Sequence, residues 1–404
     1  VAPTSRATDP IIDLASVGPD LARDSHEVYA RLRERGPVHR VRTPSGVVVW
    51  LVLGYDEVRA VLADPRLSKD WRNASPEQPV QPVTIGVSMF RSDGPRHTRL
   101  RRFVNRAFPP RRVASLEPRV RETTDALLDA MLAAPDRRAD LVEALAFPLP
   151  ITVICDLLGV PAPERDAFRR WSEPLVSSAP PAETRQAVTA MADYLDGLVR
   201  AKRDRPGDDL LSDLVAVGDE DGDRLSQDEL LGMCQLLLVA GFETTANLIA
   251  NGVLALLTHP DQLALLRADP SLMENAVEEM LRYDGPVETS SFRFTLDPIE
   301  IAGTLIPGGG EIVLPVISDT GRAPERFPEP GRFDITREAH GHLAFGHGPH
   351  FCLGAPLARL EARIALGALL ERCPGLALDT HPALLSWRSG LLIRGPHHLP
   401  VRWT

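Results

Sequence analysis

The sequence predicts a mainly α-helical fold with small β-sheets, on three observations. Apolar residues recur at helical spacing over most of the chain, and the longest stretch runs without proline from Gln227 to Thr258. Strand-like runs are short, the clearest being the branched and aromatic stretch 47–53. Prolines and glycines are scattered throughout, so no linker divides residues 1–404, which are read as a single domain with a loosely ordered lead-in over about residues 1–20.

In chain order, a short helix is expected over 56–63, stopped by Pro65. Between Asn73 and Pro95, the prolines Pro76, Pro79, Pro82 and Pro95 forbid one long helix and predict a loop, either a cover over a pocket or plain surface. Helical repeats resume over 96–107 and 116–133, then over 141–158 with a break at Pro148 and Pro150. A further helical pair, 164–175 and 182–204, meets at a proline-broken junction that suits either a moving lid or an ordinary hairpin. Helices are also expected around 275–283 and over 355–371.

Composition narrows the function classes. A net charge of −10 argues against a nucleic-acid surface, and 44% hydrophobic with 25% charged residues is the balance of a soluble globular protein. Cys155, Cys234, Cys352 and Cys373 are widely spaced without a C-x-x-C pair, which argues against a disulfide scaffold or a cysteine zinc site and favours a reducing compartment. The first ten residues contain no apolar core of signal-peptide length, and no run of 18 apolar residues occurs. A cytoplasmic protein without a membrane span is therefore expected.

The long helix opens on Ser226 and Glu229, spaced as a capping box, and should reach about 48 Å before His259-Pro260 ends it. Its middle reads Ala240-Gly241-Phe242-Glu243-Thr244-Thr245. Small residues at 240 and 241 clear space for a ligand, and a threonine hydroxyl bonded to an upstream carbonyl bends the helix. Glu243 in an apolar segment needs a partner, a water or a function; pairing with a distant arginine is the plain alternative.

The run Phe345-Gly346-His347-Gly348-Pro349-His350-Phe351-Cys352-Leu353-Gly354 places one cysteine in a glycine-rich loop just before a helix. A thiolate there can bind a transition metal, and the glycines, Gly354 included, let the backbone pass close to a bulky flat cofactor. This pattern resembles the haem-binding signature of cytochrome P450 enzymes, in which the cysteine is the proximal iron ligand. The resemblance covers nearly the whole chain. It is strongest to the actinomycete macrolide hydroxylases of the pikromycin and methymycin group, through residues 66–73 (RLSKDWRN), 96–101 (RHTRLR) and 342–348 (HLAFGHG).

The resemblance implies the triangular-prism P450 fold, haem b as cofactor and Cys352 as the metal ligand, with Phe345 packed near the sulfur. Ala240 and Gly241 would lie against the cofactor, Thr244 would order a water beside dioxygen, and Glu243 would link that water to bulk protons. His97, Arg101, Arg293 and His350 would hold the haem propionates. Glu279 and Arg282, three apart on one helix face, would form a structural network with Arg332. His347 is not read as a second ligand, and Cys155, Cys234 and Cys373 are read as inert core residues.

The implied activity is insertion of one atom of dioxygen into a hydrophobic small molecule, such as a polyketide, macrolide or related secondary metabolite. Electrons would pass from NAD(P)H through ferredoxin reductase and ferredoxin, which would dock on the basic cluster of Arg99, Arg102, Arg106, Arg111 and Arg112. The enzyme would be a monomer. Alternatives are a steroid or xenobiotic hydroxylase, a peroxide-driven peroxygenase, and a non-enzymatic haem-thiolate sensor. Met89, Phe90 and Arg91 are the candidate substrate contacts. Two acids hold an amino sugar in this loop of the related macrolide hydroxylase group; here the corresponding positions are Pro82 and Arg91, which implies a neutral or acidic substrate instead. The chain also has Phe242 where the family often has histidine, and Gly94 in place of a common proline.

Overall fold

The long helix spans Gln227–Thr258 in the computed structural model, which describes residues 10–17, 21–77, 85–176, 179–218 and 222–404. The capping box forms as expected: the Glu229 N–H donates to the Ser226 hydroxyl, and the Ser226 N–H donates to the Glu229 carboxylate. By length and composition this helix could cross a membrane, but 67% of its most apolar window is buried inside the protein. Core packing accounts for that apolarity.

Helices Pro148–Leu158, Pro181–Asp204, Met273–Asp284 and Ala355–Arg372 surround the long helix. Glycines allow two of these contacts. A Cβ on Gly241 would stand 2.8 Å from the Ile154 side chain, and one on Gly252 would stand 2.7 Å from the Met280 sulfur. The expected helix over 141–158 divides into a π-helical turn, Val142–Ala146, and a helix, Pro148–Leu158, whose opening proline needs no N–H partner. The lid pair appears as Arg165–Val176 and Pro181–Asp204; Ser177 and Ser178 of its junction lie outside the described residues. So do Pro79 and Pro82 of the proline-rich loop.

Sequence-distant segments build the main sheet. Its six strands lie in the spatial order Ile12–Asp13, Val38–Arg42, Val48–Val52, Ile312–Pro315, Arg293–Thr295 and Leu67–Ser68. Alternation along Val48–Val52 divides its side chains between two cores. Val49 and Leu51 pack with Val28, Tyr29 and Leu32, whereas Trp50 and Val52 pack with Val58, Val61 and Leu62. At the far edge Ser68 pairs with Phe294, which brings Lys69 beside Arg293. A three-stranded sheet joins Ala377–Leu378, Pro400–Arg402 and Arg138–Asp140, and a hairpin pairs Ile299–Ile301 with Thr304–Ile306. The result is mainly helical with small sheets, as expected from the sequence.

Candidate active site

Cys352 sits in a loop shaped by glycine. Gly346 and Gly348 have φ of +76° and +72°, and a Cβ on Gly348 would come within 3.1 Å of the Ala63 backbone. The Cys352 N–H donates to the Phe345 carbonyl at 2.9 Å, closing the loop. Gly354 then leads into the helix Ala355–Arg372, and a Cβ on it would lie 3.9 Å from the Cys352 sulfur. Phe345 packs beside Phe351, with the Arg359 guanidinium 4.5 Å from its centroid. Of the four cysteines, Cys352 alone is exposed. Its surface is accessible, but protein atoms crowd around the sulfur, and that partial desolvation pushes the thiol up, opposed by the Gly354 and Ala355 N–H groups and by Arg101 and Arg359. Cys155 and Cys234 are buried and pushed up to about 12, and burial raises Cys373 as well.

The proposed propionate clamps come from three elements. His97 and Arg101 lie on the helix Gly94–Ala107, Arg293 opens the strand Arg293–Thr295, and His350 belongs to the cysteine loop. The His97 and His350 rings are 4.3 Å apart, and His350 lies 3.8 Å from Asp93. Burial lowers both histidines, His350 to about 4, against the pull of Asp93. Arg293 is 3% exposed, and among the described residues its guanidinium has no hydrogen-bond or ion-pair partner. Arg101 is arranged differently from expectation. Its guanidinium donates to the carbonyls of Pro349 and Phe351 at 3.0 and 2.8 Å, so it braces the cysteine loop.

On the long helix, Glu243 is 2% exposed and its Oε2 accepts no hydrogen bond. Burial raises its carboxyl above its ordinary value; Arg388 and Arg169 oppose the shift, and Glu173 adds to it. The nearest cation is Arg388, 3.8 Å from Oε2, so the distant arginine weighed from the sequence exists. Thr244 Oγ1 donates to the Ala240 carbonyl at 3.0 Å, and Ala240 itself is exposed. Gly241 corrects the expectation of ligand clearance: its missing Cβ makes room for Ile154, not for a cofactor. Phe242 packs edge-on against Phe147, 5.2 Å between centroids.

Glu279 and Arg282 form a fully buried bidentate pair at 2.6 and 2.7 Å. Arg282 also donates to the carbonyls of Gly321, Pro330 and Arg332, and Glu279 accepts the Asp334 N–H at 2.8 Å. The expected third member, Arg332, is corrected. Its side chain is 57% exposed beside Glu329 and Asp334, because its carbonyl is the group turned inward. The cation next to Glu279 is Arg337, at 3.5 Å.

The basic cluster is also less free than its composition suggests. Arg99 pairs with Asp223 and Glu229, Arg112 pairs with Asp213, and Arg106 donates to the Gly218 carbonyl. Arg102 and Arg111 remain exposed.

These groups fit haem. A single accessible thiol offers one axial ligand, and no cluster of three or more His, Cys, Asp or Glu groups is placed to hold a metal among the described residues. Among the described residues, a buried guanidinium without a hydrogen-bond or ion-pair partner and an unpartnered His97 Nε2 call for carboxylates of the kind haem carries. The fold and site define a haem-thiolate protein. The chain belongs to the cytochrome P450 family, which matches residues 15–164 and 174–379, and its cofactor is haem b.

Among curated proteins, it is 59% identical over 397 residues to the cytochrome P450 monooxygenase PikC of Streptomyces venezuelae, covering 98% of this chain and 95% of that one. It is 47% identical over 402 residues to the 6-deoxyerythronolide B hydroxylase of Saccharopolyspora erythraea, covering 95% and 98%. Among solved structures, the tirandamycin C-bound P450 monooxygenase TamI superposes with a TM-score of 0.89 at 44% identity, covering 97% of this chain and 100% of that one. The expectations of a P450 enzyme and of haem b are thus met.

Proposed function

We propose that this P450 hydroxylates a polyketide, macrolide or related hydrophobic secondary metabolite, drawing electrons from NAD(P)H through ferredoxin reductase and ferredoxin. The observation that carries an oxygenase over a sensor is Glu243, a buried carboxyl with an unsatisfied oxygen, directly followed by Thr244 in the long helix. A ligand carrier has no use for such an acid beside an alcohol.

Cys352 Sγ would hold the haem iron, and Arg293, His97 and His350 would face the propionates, with Arg101 holding the loop that presents the sulfur. When bound, haem supplies the redox chemistry that activates dioxygen and oxidises the substrate. The protein supplies binding, orientation and protons. Burial keeps a proton on Glu243 to a higher pH than on a free glutamate, and Arg388 limits that effect. The Thr244 hydroxyl spends its proton on the Ala240 carbonyl, which leaves its oxygen able to accept a hydrogen bond from water. Together they would hold and pass protons toward the reacting centre. An acidic ferredoxin would meet the exposed Arg102 and Arg111 of the basic cluster. In this account the chain works as one cytoplasmic domain, as a monomer.

Turnover of macrolide aglycones with surrogate ferredoxin and reductase under isotopically labelled dioxygen tests this. One labelled oxygen atom in the product is expected. Product formed only with peroxide would indicate a peroxygenase, and no product under either condition would favour a sensor.

A further inference from the structure

The proline-rich loop ends on the turn Met89–Arg91, which lies on the long helix: the Met89 N–H points to the Met233 sulfur at 3.3 Å, and the Ile85 N–H donates to Gln235 at 2.9 Å. Met89 is buried and Phe90 is 37% exposed. Lys69 Nζ stands 4.2 Å from the Phe90 ring centroid and donates to the Ser291 hydroxyl. Lys69 is 5% exposed, and Arg293 and Arg91 are close enough to repel its charge.

The charges around this turn do not balance. Arg91, Arg293 and Asp93 all lie close enough to act on Lys69, and Asp93 is already engaged by the Ser68 hydroxyl at 2.5 Å, by the Lys69 N–H and by His350. Asp64, which also acts on Arg293, is tied to Arg66. The two haem propionates would offset Arg293 and Lys69. Arg91 would still lack a counter-charge: its side chain has no hydrogen bond or ion pair among the described residues, and residues 78–84 (QPVQPVT) contain no acid.

We propose that Arg91 is a specificity residue that binds a carboxylate or similar anionic group on an otherwise apolar substrate. This rests on the haem-thiolate monooxygenase assignment and deepens it: the substrate class becomes hydrophobic acids, with Met89 and Phe90 supplying apolar contact and Arg91 the fixed charge. Burial lowers Arg91 only to about 10, so it stays charged at neutral pH. A partly desolvated guanidinium offering two N–H groups suits a carboxylate in geometry as well as charge.

The test titrates the haem-loaded enzyme with tetradecanoic acid and with 1-tetradecanol, which share a chain and differ in charge, following the haem spin-state absorbance. The acid is expected to bind about 10- to 100-fold more tightly, as for a hydrogen bond to a charged group. Arg91→Gln should bring the two within about twofold, and Arg91→Lys should keep part of the preference. Equal affinities, no response to the acid, or a preference that survives in Arg91→Gln would overturn the proposal. A loss of haem from Arg91→Gln would also overturn it, by assigning Arg91 to a propionate. The reduced carbonyl spectrum of the wild-type protein, taken first, separates the two levels. A thiolate signature without acid preference sinks this proposal alone, whereas no thiolate signature sinks the assignment beneath it.

Discussion

Replacing Arg388 by glutamine should move the titration of Glu243. Arg388 belongs to a C-terminal segment anchored by a β-bridge between Trp387 and Pro396, and its side chain is 15% exposed. At 3.8 Å from Glu243 Oε2 it makes no hydrogen bond, so its effect is Coulombic. An effective dielectric of about 20 puts such a pair near 4 kcal/mol, and bulk water puts it near 1 kcal/mol. Removing the cation should therefore raise the Glu243 carboxyl further above its ordinary value. Arg169, which also lowers Glu243, stays in place in this variant. The assay is product formation and peroxide release as functions of pH, with haem content as a control. Whichever limb of the profile reports Glu243 should move upward in Arg388→Gln and vanish in Glu243→Gln. A profile unchanged in Arg388→Gln, with full haem occupancy, would refute this role for Arg388.

Other outcomes follow from the same geometry. Arg337→Ala should destabilise the folded protein by about 1–3 kcal/mol in urea unfolding, because it faces the buried Glu279, whereas the exposed Arg332→Ala should cost no more than about 1 kcal/mol. The reverse order would restore Arg332 to the network. Glu288 is fully buried, accepts a hydrogen bond from Tyr29 at 2.7 Å, and is raised to about 7 by burial. Its raised value favours the folded state below the ordinary glutamate range, and that advantage is lost as pH climbs to about 7. The change is about 3 kcal/mol. Glu288→Gln should flatten stability across this window, and an unchanged slope would contradict the assignment. Amino-sugar macrolides should bind no more tightly than their aglycones in a spin-state titration, since the turn Met89–Arg91 offers a cation and no acid to meet an ammonium group; a strong amine-dependent affinity would count against that.

Local patterns carried most of what was legible in the sequence. The capping box and proline-free run define Gln227–Thr258 because both signals lie within the helix itself. The cysteine loop was readable for the same reason. Glu243 was visible as an acid in an apolar stretch, but its partner was not, because Arg388 is brought to it only by the tertiary fold. Lys69 carries no local signal of its position because Leu67–Ser68 is a two-residue strand, too short for periodicity, and its neighbour Arg293 arrives through sheet pairing. Arg332 and Arg337 lie on the same short segment. Only the turn that points the Arg332 carbonyl at Arg282 decides which side chain faces inward. Gly241 shows a further limit: a small residue makes room on one side, and the sequence does not reveal whether a ligand or a helix fills it. The basic cluster failed similarly, since its counter-charges Asp213, Asp223 and Glu229 come from later in the chain.

The most direct test of the central claim is the carbon monoxide difference spectrum of the reduced, haem-loaded protein beside that of Cys352→Ser. The wild type should show the red-shifted band of thiolate-ligated haem, and the variant should lose it while Cys155, Cys234 and Cys373 remain. A band that persists in Cys352→Ser would mean that another group holds the iron.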